Sequence, residues 1–167
     1  PMLNKYWMNA ACMIAKEIRK GKEAAFVTIG DPFIYSTYIY LLKTLQRNFP
    51  DIEVETVPGI SAFNAASSRL QFPLAQGQER LAVVPVNRDL KGLKETLLDF
   101  DTVVLMKVGA KLDKIIPLLK ELKLIKNSVL ISRVGHKDEK IIYNLDLLRD
   151  KEAGYLSVIL VRKVWNK

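Results

Sequence analysis

A chain of 167 residues, 49% hydrophobic and 26% charged, has a globular composition and is long enough for one ordinary domain or two small ones. Its single cysteine, Cys12, excludes an internal disulfide and a cysteine-rich metal site, so we expect a reducing compartment, the cytoplasm. The net charge of +8 comes from dispersed lysines, which leaves open a solvated lysine surface or an anionic small partner. We expect no nucleic-acid partner and no membrane partner.

The amino end predicts an amphipathic helix whose apolar face is formed by Leu3, Tyr6, Trp7, Ala10, Ala11, Ile14 and Ile18. Because the sequence opens inside this helix, we expect it to be a fragment of a longer one. The apolar run 24–27 then predicts a buried strand.

The stretch Thr28-Ile29-Gly30-Asp31-Pro32-Phe33-Ile34-Tyr35-Ser36-Thr37 follows that strand and is the strongest indication of a site. Gly30 lets the backbone turn sharply and approach a ligand closely. Asp31 is expected to cap the next helix, and Pro32 suits the first turn of that helix. Since ligands of open α/β sheets bind at the carboxyl ends of strands, this turn predicts a binding site.

The pattern then continues through a helix, a strand and a second helix. A helical stripe runs over 35–45, alternation over 52–57 predicts a strand, and Pro58-Gly59 predicts a turn. The segment 61–70 is rich in small residues, so we expect a helix that packs closely on its neighbours. This order of strands and helices favours parallel pairing in the first lobe.

The pattern of strands and helices restarts after Gly77. Strands are predicted at 81–86, 102–106, 129–133 and 156–161, with helices at 90–98 and 112–122. The polar stretch 76–80 is the best boundary, so we predict two α/β lobes, 1–79 and 80–167.

Covalent catalysis and metal ligation find little support. The sole histidine, His136, lies in a polar stretch typical of solvated surface, and no Gly-x-Ser-x-Gly elbow, Walker loop or Gly-x-Gly-x-x-Gly is present. The turn motifs 30–32 and 57–62 remain, together with the apolar strand 103–107 that ends in Met106 and Lys107. Taken singly, each of these could be purely structural.

Together, these three motifs resemble those of the tetrapyrrole methylases, the S-adenosylmethionine-dependent family that methylates corrinoid precursors and siroheme. Within the family, Gly30-Asp31-Pro32 followed by Tyr35-Ser36-Thr37 is most similar to the precorrin-2 (cobalt-factor II) C20-methyltransferases, since most relatives have Tyr/Phe-Gly there. The resemblance also covers Arg69-Leu70, Pro73-Leu74-Ala75, Ser132-Arg133-Val134-Gly135 and Val161-Arg162-Lys163. The family's opening strand and its Gly-x-Gly-Pro-Gly-Asp-Pro turn have no counterpart here.

The resemblance implies a two-lobed class III methyltransferase fold, with a truncated first lobe holding a parallel sheet and a second lobe holding a mixed sheet. It implies that S-adenosylmethionine is the cofactor and that the cofactor-binding residues are Gly30, Asp31, Tyr35, Ser36, Thr37, Ser61, Ala62, Met106, Lys107, Arg133 and Val134. Tyr35 and Tyr38 are weak candidates for the catalytic proton acceptor. No metal site is expected.

The implied reaction is methyl transfer to the C20 carbon of precorrin-2 or cobalt-factor II. This reaction belongs to cobalamin biosynthesis and, more broadly, to porphyrin biosynthesis. The implied partners are an anionic tetrapyrrole and a second copy of the chain, to which Tyr38, Tyr40 and Phe63 could offer an apolar patch. Three alternatives stay open: methylation of another corrin position, diphthine or ribosomal-RNA methylation, and a non-catalytic α/β binding module.

Overall fold

The computed structural model describes residues 2–87, 89–148 and 153–165, without the side chains of Met2 and Leu3. The chain forms two compact units, residues 1–61 and 62–167. In the described part of the chain no helix is both long and apolar enough to cross a bilayer.

The first unit is built on two helices, α1 (Met2–Ile18) and α2 (Tyr38–Asn48). They meet through the small side chain of Ala11 and through Leu41 and Leu45, all of them buried. An exposed ion pair of 3.0 Å between Arg19 and Asp51 joins the segments that follow the two helices.

The two strands predicted in the first lobe do not form. Neither 24–27 nor 52–57 takes part in a ladder, and the first run, with Phe26 and Val27, is exposed. A strand needs a neighbouring backbone about 4.8 Å away to satisfy its N–H and C=O groups. Because these two runs do not pair with each other, the expected parallel sheet is absent from the described residues of the first unit, and the prediction of strands here is wrong.

The second unit holds every strand of the described chain. Its helices are α3 (Ala62–Leu70), α4 (Leu93–Asp99) and α5 (Leu112–Glu121), with 3-10 turns at Ile125–Asn127 and Leu145–Leu147. Its strands are β1 (Leu81–Pro85), β2 (Thr102–Met106), β3 (Ser128–Ser132), β4 (Lys140–Ile142) and β5 (Ser157–Arg162).

The strands form one mixed sheet in the order β1-β2-β5-β3-β4. β1 and β2 are parallel, whereas β5 is antiparallel to both of its neighbours, β2 and β3. Strands β2 and β3 therefore run in the same direction, and their carboxyl ends lie at the same edge of the sheet. The mixed sheet predicted for the second lobe is confirmed.

Both faces of the sheet are covered, as its apolar central strands require. Along β2, Val103 and Leu105 join the larger apolar cluster, which includes residues of α4 and α5. Val104 points the other way and joins the cluster that contains Ala66 and Leu70 of α3. The alternation follows from the two-residue period of a strand.

The division between the units falls at 61/62, earlier than the lobe boundary predicted at 79/80. Helix α3 and the buried Phe72 share an apolar cluster with the sheet. The Glu79 carboxylate accepts two hydrogen bonds of 2.8 Å from the guanidinium of Arg162 on β5, which also holds the preceding segment to the sheet. These tertiary contacts are not visible as a change in composition.

Candidate functional site

The first predicted motif, Gly30-Asp31, lies directly against the second, Pro58-Gly59; we call the two the glycine turn pair. A Cβ on Gly59 would overlap the carbonyl oxygen of Gly30, so only glycine allows the two backbones to pack this closely. Gly30 itself has φ +81°, in the left-handed region that favours glycine. Two motifs separated by nearly thirty residues therefore form a single feature of the first unit.

Asp31 joins the two turns. Its Oδ1 accepts from the backbone N–H of Phe33 at 2.9 Å, and its Oδ2 accepts from the N–H of Gly59 at 3.1 Å. The expectation that Asp31 caps the next helix is wrong, because α2 begins only at Tyr38. The carboxylate instead caps a local turn and bonds to the second motif.

The Tyr35-Ser36-Thr37 segment leads into α2. Tyr35 has a left-handed backbone, φ 54°, which is uncommon for a residue with a Cβ. The Ser36 Oγ accepts from the N–H of Tyr38 at 3.2 Å and lies 3.2 Å from the Thr28 Oγ1, so Ser36 helps to start the helix. Thr37 occupies the N-cap position without a side-chain bond.

The two candidate proton acceptors differ in their surroundings. Tyr38 is 6% exposed, packs against the rings of Phe26 and Phe33, and hydrogen-bonds through its hydroxyl to Thr56 at 2.5 Å. Tyr38 therefore cannot contribute to an exposed apolar patch. Tyr35 is 42% exposed, and partial burial raises the pKa of its phenol above the usual 10.0.

In the second unit, the predicted residues Met106, Lys107, Arg133 and Val134 lie where β2 and β3 end. Lys107 follows β2 and Arg133 follows β3, with φ of 59° and 54° respectively. The Arg133 N–H donates to the carbonyl of Leu156, just before β5, at 2.8 Å. Because β5 lies between β2 and β3, the structure brings these four residues to one edge of the sheet.

Ser61 and Ala62 lie where the first unit meets the second along the chain. Ser61 is buried, and Ala62 is the first residue of α3. The side chain of Ala62 packs with the apolar cluster that also receives Met106 and Val134. Three predicted site residues of the second unit thus border the same cluster.

A further close approach at this edge was not foreseen. A Cβ on Gly109 would come within 2.5 Å of the carbonyl oxygen of Gly154, so the loop after β2 touches the loop before β5. The Ser157 Oγ donates to the same carbonyl at 2.8 Å. The only sequence signal for this contact is the two glycines, which are 45 positions apart.

The sequence contains two other candidate reactive side chains, one histidine and one cysteine. His136 and Cys12 are both exposed, on the loop after β3 and on α1 respectively. Among the described residues, no group of three or more His, Cys, Asp and Glu could hold a metal ion. A cavity of about 240 Å³ lies beyond β1, lined by Val86, Asn87 and Gly92 among others, and it contains none of the predicted residues. We therefore identify one candidate region in each unit: the glycine turn pair in the first, and the carboxyl ends of β2 and β3 in the second.

The sequence profile of the family described as Tetrapyrrole (Corrin/Porphyrin) Methylases matches residues 3–147. A probable cobalt-precorrin-2 C(20)-methyltransferase of Methanocaldococcus jannaschii is 34% identical over 96% of this chain and 66% of its own length. The cobalt-precorrin-2 C(20)-methyltransferase of Salmonella typhimurium is 31% identical over 95% of this chain, again covering 66% of the relative. The chain thus spans just under two thirds of these relatives.

Solved structures support the fold. The chain resembles a cobalt precorrin-4 methyltransferase with a TM-score of 0.77 and 18% identity, over 92% of this chain and 69% of the other. It also resembles a uroporphyrin-III C-methyltransferase of Thermus thermophilus solved with S-adenosylhomocysteine, with a TM-score of 0.58, 18% identity, and coverage of 80% and 63%. The expected class III methyltransferase fold is confirmed.

Proposed function

This chain belongs to the tetrapyrrole methylase family, and we propose that its protein transfers a methyl group from S-adenosylmethionine to C20 of precorrin-2 or cobalt-factor II in cobalamin biosynthesis. The observation that carries the proposal is the similarity to two C20-methyltransferases along almost the whole chain, at 31–34% identity. Similarity confined to the fold would not favour one corrin position over another.

The residues present fit the proposed cofactor. Three of the six non-glycine residues with a left-handed backbone, among those described, are predicted cofactor residues: Tyr35, Lys107 and Arg133. Such conformations persist where the surrounding structure enforces them, and they concentrate at functional sites. We propose that Gly30 and Asp31 contact the amino acid part of the cofactor and that Arg133 and Val134 border its adenine. Ser61, Ala62, Met106 and Lys107 would lie along the amino acid or adenosine parts.

S-adenosylmethionine, when bound, supplies a methyl group already activated by positively charged sulfur. The protein's task is then to orient the reactants and exclude water, which lowers the barrier by several kcal/mol without a nucleophilic side chain. Arg and Lys side chains suit the acetate and propionate groups of an anionic tetrapyrrole. The net charge of +8 supports this proposal.

Neither Tyr35 nor Tyr38 is well suited to accept the proton that leaves C20. Because the pKa of Tyr35 is raised above 10.0, its hydroxyl keeps its proton near neutral pH. We therefore propose Tyr35 as a hydrogen-bond donor rather than as the base that accepts the C20 proton. The Tyr38 hydroxyl is held by Thr56 inside the first unit.

We extend the proposal to a homodimer in the cytoplasm, with no nucleic-acid or membrane partner. The exposed Tyr40, and Phe63 at the partly buried start of α3, remain candidates for an apolar contact. Light scattering of the full-length protein at micromolar concentration should give a dimer mass, and a monomer mass would contradict this part.

The decisive experiment supplies the full-length protein with S-adenosylmethionine and precorrin-2 or cobalt-factor II. Mass spectrometry should show one added methyl group, and carbon NMR should place it at C20. Cys12→Ser, a change on an exposed face of α1, is the matched control and should leave the product unchanged. Methylation at another carbon, or of RNA alone, would contradict the C20 assignment.

A further inference from the structure

Glu139, which precedes β4, has both carboxylate oxygens occupied. Its Oε1 accepts from the Arg69 Nε on α3 at 2.8 Å, and its Oε2 accepts from the backbone N–H of Gly135 at 2.9 Å. The Glu139 side chain is only 13% exposed, whereas that of Arg69 is 58% exposed. A single carboxylate thus connects α3 to the loop after β3.

The loop after β3 contains two residues with a left-handed backbone conformation. Arg133 and Gly135 both have left-handed φ, 54° and 77°, and the His136 N–H closes the turn on the carbonyl of Arg133 at 3.0 Å. The Arg133 guanidinium pairs with Asp138 at 2.6 Å, and Glu139 accepts the hydrogen bond from the Gly135 amide. Charge-assisted hydrogen bonds of this kind are stronger than neutral ones and fix a loop more firmly.

The contact also fixes the loop relative to α3. Val134 packs against the apolar cluster that contains Ala66 and Leu70, and Ala62 lies on the same face of the helix. Arg69 projects from the last turn of α3, so its bond to Glu139 ties that end of the helix to the loop. Both ends of this arrangement lie within the second unit.

We infer that Glu139 is a positioning residue: it holds the Arg133–Val134 turn against α3 and thereby shapes the part of the site that receives an adenosine-containing ligand. The identity of that ligand rests on the proposed function. The Glu139 carboxylate bonds to Arg69 and to the Gly135 amide, so it acts through the turn that these contacts hold.

The test compares four variants of the full-length protein: Glu139→Ala, Glu139→Gln, Arg69→Gln and the control Glu121→Gln. Glu121 also pairs with a cation, Lys94 at 2.5 Å, but on an exposed face. We expect Glu139→Ala to weaken the calorimetric affinity for S-adenosylhomocysteine about tenfold. Glu139→Gln, whose amide oxygen still accepts from Gly135, and Arg69→Gln should each weaken it severalfold, and Glu121→Gln should not.

Two readouts separate positioning from general stability. The KM for S-adenosylmethionine should rise while kcat stays constant, the pattern of lost uniform binding. The NMR signals of the Arg133, Val134 and Gly135 amides should shift in Glu139→Ala while those of β2 and β5 do not. If Glu139→Ala does not fold, Glu139→Gln and Arg69→Gln carry the test.

Wild-type affinity in the Glu139 and Arg69 variants would overturn the inference while leaving the proposed function intact. A wild-type protein that binds no S-adenosylhomocysteine would contradict the proposed function, and the inference would fall with it.

Discussion

The glycine turn pair of the first unit and the strand ends of the second unit both hold predicted cofactor residues, but they are held in different ways. The turn pair is held by one side chain, Asp31, and by a backbone contact between two glycines. The strand ends are held by a ladder whose central residues, such as Leu105 and Ile159, are fully buried. An apolar run therefore becomes a strand only where a neighbour completes its hydrogen bonds, and a site can be built with or without such a frame.

The largest effect should come from the buried frame of the second unit. Ile159→Ala, at a position with 0% exposure in β5, should lower the free energy of unfolding by about 2–5 kcal/mol because it leaves a cavity. Leu98→Ala, at a position 53% exposed, is the matched control and should cost less than about 0.5 kcal/mol. Urea denaturation followed by circular dichroism measures both. Equal effects would contradict the importance of the sheet core.

The next largest effect compares the two close glycine contacts directly. Gly59→Ala in the first unit and Gly109→Ala in the second would each press a Cβ on a carbonyl oxygen, so each should cost about 1–3 kcal/mol of stability. Gly154→Ala is the control, because a Cβ there meets nothing within 4 Å. Thermal unfolding of the three variants gives the comparison. If Gly154→Ala lowered the melting temperature and Gly59→Ala did not, the predicted role of the close glycine contacts would be contradicted.

The sequence predicted most strands of the second unit, but not that the described residues of the first unit would form none. Strands β1, β2, β3 and β5 were predictable because each is an apolar run bounded by turns, whereas the three residues of β4 are too few to give a period. The run 24–27 is apolar too, yet strand pairing is a tertiary property that local sequence does not encode. Arg69 and Glu139 are 70 positions apart, so their contact could not be read from local sequence.

The predicted site fared similarly. The resemblance grouped the motifs 30–32, 57–62 and 103–107 without saying which of them touch, and the contact between Gly30 and Gly59 is long-range. The capping role of Asp31 was wrong because local sequence does not reveal that the helix starts later, after Ser36. Ser36→Gly should therefore lose a helix-starting hydrogen bond and hence some stability.

A moderate effect is expected from Asp31→Ala, which removes the acceptor of two backbone N–H groups. Loss of a cap alone costs about 1 kcal/mol, and we expect affinity for S-adenosylhomocysteine to fall more than stability because the turn pair is also released. Asp31→Asn retains one acceptor oxygen and should lie between wild type and Asp31→Ala. Calorimetry of binding and of unfolding decides. Unchanged affinity with a lower melting temperature would leave Asp31 a purely structural residue.

The smallest effect concerns pH. The pKa of Glu139 lies below its usual 4.5, chiefly because the Gly135 amide donates to it and secondarily because of Arg69. A lowered folded-state pKa stabilises the protein above pH 4.5, and this contribution is lost as the pH falls through the lowered value. Glu139→Gln should therefore flatten the acid side of the stability profile. Identical profiles for wild type and variant would contradict this.

Our proposal for cofactor binding names residues of both units, and each of them can be tested separately. The most direct test is an NMR titration of the full-length protein with S-adenosylhomocysteine, following the backbone amides of Gly30, Gly59, Lys107 and Arg133. The account predicts that each of the four signals shifts and saturates at one equivalent of ligand. Shifts confined to the cavity beyond β1, around Asn87 and Gly92, would contradict it.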